Sequence, residues 1–495
     1  MKITDTTSKI SEIIWGPKPP TKQEQKYLFK TDFFVLSIVC LIYYINYQDR
    51  VSFNFAYVSS LKQDLNMHGN EFNIVNTCFY VGYTIAMIPH NLILLKVRPR
   101  YWLCFCSLCW SLLTLGMYKV TNYKQICVIR FFLGVFESVT FGGVHLILGS
   151  YYDESRLLIR TAIFTSAGLV GSLFSGVFQG AIYKNLDGHL GLKGWQYLFI
   201  IDFAISVVII IYAFIFFPDS PDIAKPFYFT SEEQEIAMTK MKQNRPEKDE
   251  FSWAILKRVL GKWRFYLFSF LWVLGGENES FATNSILALW LAENEYTVLQ
   301  RNHYPLAIYG IGIFATIISA IIIQNIKSFR SHFLLGIVIG LFVVIASVVH
   351  VSNPLSDVSV FVGQYLSGTA FAAQTVFFAY ANVICHNDLQ ERAIVLASMN
   401  MFSNAVNAWW SILFYGADTF PFKKGCWALL GTGVASIFVV LIIRFLEVRE
   451  NKQIKVRGNG DMEEEDGSSH RDEVEVIDGI SHNGKIDSEK YSKNV

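Results

Sequence analysis

Apolar residues in this chain run in long blocks, not at the spacing of a half-buried helix or strand. A membrane-crossing helix needs roughly 20 predominantly apolar residues. Twelve blocks qualify, with approximate limits 33–54, 73–95, 101–119, 126–149, 161–183, 195–217, 265–290, 304–325, 332–350, 357–380, 393–416 and 425–446. The connectors are short, with one exception. Between Phe217 and Phe265 the chain turns hydrophilic, through Pro218, Pro221 and Pro226 and then a polar amphipathic stretch beginning Thr230-Ser-Glu-Glu. The pattern predicts an all-α membrane protein of 12 transmembrane helices in two six-helix halves. Its segments read as 1–32, a polar N-terminal stretch; 33–217, the first half; 218–264, a central loop; 265–446, the second half; and 447–495, an acidic tail too polar to fold.

Composition agrees with the pattern. Of 495 residues 52% are hydrophobic and only 17% charged, against about 25% charged in globular domains. Lys and Arg (42) nearly balance Asp and Glu (41), so no broad basic surface for nucleic acid is expected. Lys and Arg are nonetheless unevenly placed. With the N-terminus inside, the inner segments hold 31 of them and the outer loops 8. The positive-inside rule then puts both termini and the central loop in the cytoplasm. The first 32 residues lack a hydrophobic signal core, so the first span is expected to be its own insertion signal. All eight cysteines lie in or beside apolar runs. Even Cys104-Phe-Cys-Ser-Leu-Cys109 reads as buried inert thiols, and no metal site is expected.

The informative residues are ionisable groups inside spans. Each costs about 2.5–3.5 kcal/mol at a helix centre on insertion scales, so each should face a cavity or a partner. Span one carries Asn46-Tyr-Gln-Asp49-Arg50, and span four carries Arg130-Phe-Phe-Leu-Gly-Val-Phe-Glu137. Arg130 and Glu137 share a helix face but stand about 10.5 Å apart along it, too far for a direct bridge. Glu137 could serve as a proton-exchanging carboxyl or merely pair with Arg50 to hold two helices. Asp49 and Arg50 are adjacent and diverge by about 100°, so one can face a cavity while the other meets a neighbouring helix. Arg50 presents a permanent charged fork suited to a carboxylate ligand.

Span seven reads Gly275-Gly-Glu277-Asn278-Glu279. The glycine pair predicts a weakened helix there, with Glu277 either lining a site or marking a kink. Spans ten and eleven offer Gln374, Asn382, Asn400, Asn404 and Asn407. The spacing of the last three forms one polar stripe, for helix–helix hydrogen bonds or for substrate. His145 reads as a satisfied interior histidine rather than a relay. Asn278-Glu-Ser280 matches a glycosylation pattern, but it lies inside a span, beyond the reach of that machinery.

Six plus six spans around a long loop resemble the major facilitator superfamily. Lys96-Val-Arg-Pro-Arg100 is similar to a degenerate form of that superfamily's basic loop signature, lacking its Gly and Asp. The motifs of spans one and four, with Gly191-Leu-Lys-Gly-Trp195 before span six, resemble the anion:cation symporter branch and its fungal allantoate permease family. The resemblance covers about residues 30–446. It implies proton coupling at Glu137 and Asp49 and carboxylate binding at Arg50, with Tyr83 and Asn400 as substrate contacts. Asn404, Glu277 and Asn278 join the candidate substrate-binding set from their placement in the spans. Trp272-Val-Leu-Gly-Gly-Glu-Asn278, Gln300-Arg-Asn-His-Tyr-Pro305 and Leu389 to Ser403 are similar to the family's plasma-membrane pantothenate:proton symporters. Other members carry biotin, nicotinate, allantoate or cysteine.

The expectation is therefore a non-enzymatic importer of a small carboxylate vitamin, pantothenate ahead of biotin or another small organic anion, working by alternating access as a monomer in the plasma membrane. Protons are its coupling ion and no cofactor is required; its partners are the small-molecule carboxylate and the lipid bilayer, not nucleic acid. A nutrient receptor would want a folded cytoplasmic domain. A membrane acyltransferase would want a catalytic constellation, and His386-Asn-Asp388 does not supply one.

Overall fold

In the computed structural model the described residues are 12–16, 18–94, 96–223, 225–244, 253–326, 329–352, 356–386, 388–416 and 422–476. Asn387, the stretch 245–252 within the central loop and residues 1–11 and 477–495 of the two terminal segments lie outside them, as do the side chains beyond 453. The described residues form helices and connecting turns, with no strand among them.

Span one is a continuous helix from Lys22 to Asp64, longer at both ends than its apolar block. Thr21 caps it by accepting from the Glu24 amide, and Tyr27 and Leu28 are already buried. Spans two to six are Glu71–Leu94, Pro99–Gly116, Tyr123–Tyr151, Glu154–Leu186 and Gly194–Phe216. The central loop contributes a helix, Ser231–Asn244, moored to the start of span one by Lys30 Nζ on Glu233 Oε2 at 2.8 Å. Phe229 and Ala237 extend the core of the first half into this loop.

Span seven is Trp263–Thr283. It runs unbroken through Gly275 and Gly276, contrary to the expected weak point there, and ends at Ser285, whose φ is +57°. Gly276 serves close approach instead: a Cβ there would stand 2.0 Å from Ser403 Oγ of span eleven. Span eight (Leu306–Asn325) follows a short helix, and span nine is Phe329–Ser352. Span ten is Asp357–Ser367, a tight turn at Gly368–Phe371, then Ala372–Ile384. Span eleven is Leu389–Phe414.

The last helix is Lys423–Val476 and so runs past the polar boundary expected at 447. Residues Ile442–Val495 form a separate unit from Met1–Leu441; within it Arg444 Nη1 meets Glu447 Oε1 at 2.8 Å.

Nine helices among the described residues are long and apolar enough to cross a membrane. Spans seven, ten and eleven fall short of that test. They are the three whose sequences give up apolar positions to Glu277, Glu279, Gln374 and the asparagine stripe.

The two halves meet most tightly at the end of the bundle remote from the N-terminus. One core cluster there takes Phe53, Tyr57 and Phe72 from the first half and Phe281, Trp290 and Tyr415 from the second. Hydrogen bonds cross the same seam: Asn302 Nδ2 to Ser59 Oγ at 3.0 Å, Asn73 Nδ2 to Tyr415 O at 2.9 Å, and Asn54 Nδ2 to Thr283 O at 3.3 Å. Toward the terminal end a second, apolar cavity opens between the halves. His145 and Leu157 line it on one side, His332 and Asn382 on the other.

Candidate functional site

Between the sealed seam and that apolar opening lies a central cavity with about 1010 Å³ of unfilled space, its open side included. Its first-half wall is aromatic and cationic, with Tyr47, Tyr80, Tyr83, Arg50 and Arg130. The second-half wall is polar and acidic, with Glu279, Gln374, Asn400, Asn404 and Asn407.

The cationic wall depends on a close helix crossing. Spans two and four touch backbone to backbone, since a Cβ on Gly134 would stand 2.1 Å from Phe79 O and one on Gly82 2.1 Å from Phe131 O. This brings Arg130 and Glu137 of span four beside Tyr83 of span two and Arg50 of span one. Arg50 donates from Nε and Nη2 to Glu137 Oε2, each at 3.2 Å, and from Nη2 to Asn46 Oδ1. Glu137 is fully buried, and its Oε1 receives no hydrogen bond. The Arg50 side chain stays 18% exposed to the cavity and lies over the Tyr47, Phe79 and Tyr83 rings, 4.7–5.4 Å from their centroids.

Arg130 does not reach Glu137. It donates to Arg50 O and Asn76 Oδ1, each at 2.8 Å. These are neutral acceptors, so with Glu137 spent on Arg50 this wall keeps an unmatched positive charge. A buried cation needs an anion or strong acceptors, and a carboxylate ligand supplies the anion.

Asp49 points the other way, into the first-half core. It is buried, accepts from Ser206 Oγ at 3.5 Å, and its Oδ1 has no hydrogen-bond partner. Ser206 belongs to span six, one turn beyond Asp202, a residue the sequence reading passed over. Asp202 is fully buried and accepts from Gln48 Nε2 at 2.6 Å and Ser52 Oγ at 2.5 Å. The signal for it was present, a lone carboxylate in Leu198-Phe-Ile-Ile-Asp-Phe-Ala, and the cost rule used for the other spans applies to it equally.

On the opposite wall the helix rotation decides. Trp272, Gly276, Glu279, Ser280 and Thr283 share one face of span seven and line the cavity. Glu277 and Asn278, both candidates from sequence, are turned off that face. Asn278 Oδ1 accepts from Thr432 Oγ1 at 2.7 Å, an interhelical bond. Glu277 is buried with both carboxylate oxygens unbonded. Asn404 Nδ2 donates to Asn400 O and Oδ1, at 2.8 and 2.9 Å, so both line the cavity as a linked pair. Tyr83 lines it as well. His145 Nδ1 lies 2.8 Å from Phe141 O of its own helix and packs against aromatic rings, apart from the charged groups. All eight cysteines are unpaired, and no cluster of His, Cys, Asp and Glu suited to a metal occurs among the described residues.

A polar-lined cavity at mid-bundle, walled by two six-helix halves and closed at one end, defines a membrane carrier. Residues 39–411 match the Major Facilitator Superfamily, and the chain belongs to that superfamily of transporters. It is 51% identical to the pantothenate transporter FEN2 of Saccharomyces cerevisiae, over 89% of this chain and 88% of the relative. It is 35% identical to the pantothenate transporter liz1 of Schizosaccharomyces pombe, over 88% and 84%, and 26% identical to the Saccharomyces cerevisiae vitamin H transporter, over 89% and 75%. Among solved structures the proton:xylose symporter XylE superposes with a TM-score of 0.62 at 12% identity, covering 85% of this chain and 95% of that one. That likeness concerns the fold alone.

Proposed function

We propose that this chain imports pantothenate together with protons across the plasma membrane, both termini lying in the cytoplasm, by alternating access and as a monomer. The observation that carries the reading is the cavity wall where Arg50 and Arg130 meet one buried carboxyl, Glu137. The resemblance of most of the chain to two named pantothenate transporters supports the choice of substrate.

The energetics require coupling. Moving one elementary charge through 100 mV costs about 2.3 kcal/mol, which excludes a monoanion from a negative interior roughly fifty-fold. A uniporter would drain a scarce carboxylate vitamin outward. One co-transported proton cancels that charge and adds the pH gradient. In the proposed cycle a protonated, outward-open carrier takes the carboxylate at Arg50 and Arg130. Protonated Glu137 releases Arg50 to the substrate. Inside, loss of the proton restores the Arg50–Glu137 pair, which competes with the substrate and expels it. Asp49, held in the first-half core near Asp202, is a second place where a proton can reside.

Uptake of radiolabelled pantothenate into cells lacking their own carrier, at pH 5 and pH 7 and with and without a protonophore, tests this. Uptake that rises at low pH and collapses with protonophore is expected. No pantothenate uptake despite confirmed surface expression would sink the substrate, and biotin would be tried next. Pantothenate uptake indifferent to pH and protonophore would sink the coupling.

A further inference from the structure

Nothing in the proton cycle uses Glu279. It stands on the cavity-lining face of span seven with Gly276, Ser280 and Thr283. Its Oε1 is sealed from solvent and receives no hydrogen bond. The side chain as a whole is half-buried, on the wall opposite Arg50. The second-half residues beside it on the cavity, Ser403, Asn400, Asn404 and Asn407, are all neutral. The cations of the cavity have their own acceptors within the first half: Arg50 on Glu137, Arg130 on Asn76 and a backbone carbonyl. A carboxylate oxygen sealed from water without a donor is costly, and an occupant that brings a donor relieves the cost.

We infer that Glu279 reads the end of the substrate remote from its carboxylate, by accepting hydrogen bonds from hydroxyl or amide groups there. This deepens the reading of the chain as a pantothenate carrier and rests on it. The site then selects bipolar anions, with a carboxylate for the cationic wall and hydrogen-bond donors for the acidic one. Pantothenate has that form, a carboxylate at one end and two hydroxyls beyond an amide at the other. A simple apolar carboxylate satisfies the first wall and leaves Glu279 unpaired. Because the walls belong to different halves, a bipolar occupant bridges them. Only such a molecule makes a contact that differs between open and closed arrangements, which is what lets a ligand shift that equilibrium.

The test compares two competitors of radiolabelled pantothenate uptake: unlabelled pantothenate, and N-(3,3-dimethylbutanoyl)-β-alanine, which keeps the carboxylate and amide but lacks both hydroxyls. Their potency ratio does not depend on how much carrier reaches the surface. In the wild type, pantothenate is expected to compete about tenfold to a hundredfold better, the range for hydrogen bonds to a charged group. Glu279→Ala should bring the ratio to within about threefold of unity, and Glu279→Gln, which keeps an acceptor without the charge, to an intermediate value. A wild-type ratio near one overturns the inference, and so does a ratio unchanged in both variants. Loss of pH dependence with the ratio intact would make Glu279 a proton carrier instead and overturn it too. A wild type that takes up no pantothenate overturns the substrate reading and this inference with it. Uptake with unaltered variants overturns this inference alone.

Discussion

The two halves of the bundle bury charge in opposite ways. In the first, Glu137 is matched to Arg50 at 3.2 Å and Arg130 is held on neutral acceptors. In the second, both carboxylate oxygens of Glu277 and Oε1 of Glu279 are sealed inside the span and receive no hydrogen bond. In the proposed cycle one proton opens the matched pair and makes it a switch, whose two states differ by whether Arg50 is free. An unmatched acceptor cannot switch anything by itself, but it discriminates among whatever enters. On the proposed cycle the halves divide the labour, the first handling charge and the second reading the neutral part of the substrate.

The largest effect should follow from removing the switch. Glu137→Gln cannot cycle a proton, and accumulation of substrate should fall by about fiftyfold or more at a 100 mV potential. Exchange of labelled for unlabelled substrate across the membrane needs no net proton movement and should persist. Measuring net uptake and exchange side by side separates the two. Loss of both, at normal surface abundance, would mean that the pair only holds helices together.

Next in size is a comparison of the two glycine crossings. At Gly134 an added methyl meets backbone, Phe79 O at 2.1 Å, while at Gly276 it meets a hydroxyl, Ser403 Oγ at 2.0 Å. A backbone carbonyl cannot rotate away, whereas a serine side chain can change rotamer. Gly134→Ala should therefore destabilise the purified carrier by about 1–3 kcal/mol, and Gly276→Ala by clearly less. Thermal unfolding in detergent would show it. Equal losses would mean that span seven packs as rigidly as span four.

How much of this was legible follows the same division. The spans could be placed because lipid demands long apolar blocks, and the first-half charges stood out against those blocks. Arg50 and Glu137 were singled out in that way and stand paired at the cavity wall, while Tyr83, which also lines it, was named from the family resemblance alone. Span seven was harder. Its polar string was visible, yet which of Glu277, Asn278 and Glu279 faces the cavity depends on helix rotation. The expected break at Gly275-Gly276 also misdirected the choice, because those glycines bring helices together instead of interrupting one. Asp202 shows a different failure: a single carboxylate inside a strongly apolar run is overlooked when attention goes to clustered charges. The Arg50–Glu137 contact links residues 87 apart in sequence, and helix periodicity alone cannot bring two spans together.

A smaller effect is expected at the moorings of the loop segments, where both halves use ion pairs at the terminal end. Glu233 is buried, which works against its ionisation. The hydrogen bond and charge of Lys30 and the Thr230 amide outweigh this and hold its carboxyl below the ordinary value. In the second half Asp388 is likewise held low, against its own partial burial, by the Glu391 amide and by Arg258 and Lys262. A depressed carboxyl contributes stability that is present above its unfolded pKa and is lost as pH falls through the folded one. Helix Ser231–Asn244 should thus stay docked at neutral pH and loosen only below the ordinary carboxylate range. Hydrogen exchange of that helix as a function of pH would follow it, and loosening between pH 6 and 8 would contradict the assignment.

The smallest effect should come from Asn278, and it sharpens the contrast with Glu279 one residue along the same helix. Asn278 spends its side-chain oxygen on Thr432 at 2.7 Å, and interhelical bonds of this kind inside membranes are worth about 0.6 kcal/mol on average. Asn278→Ala should lower thermal stability by about that much and leave the competitor ratio unchanged, because the residue faces a helix and not the cavity. Glu279→Ala should do the reverse, moving the ratio. A shift of the ratio in Asn278→Ala would mean that span seven turns during transport and brings a different face to the substrate. The division between a packing face and a reading face would then hold only for the arrangement closed at the far end.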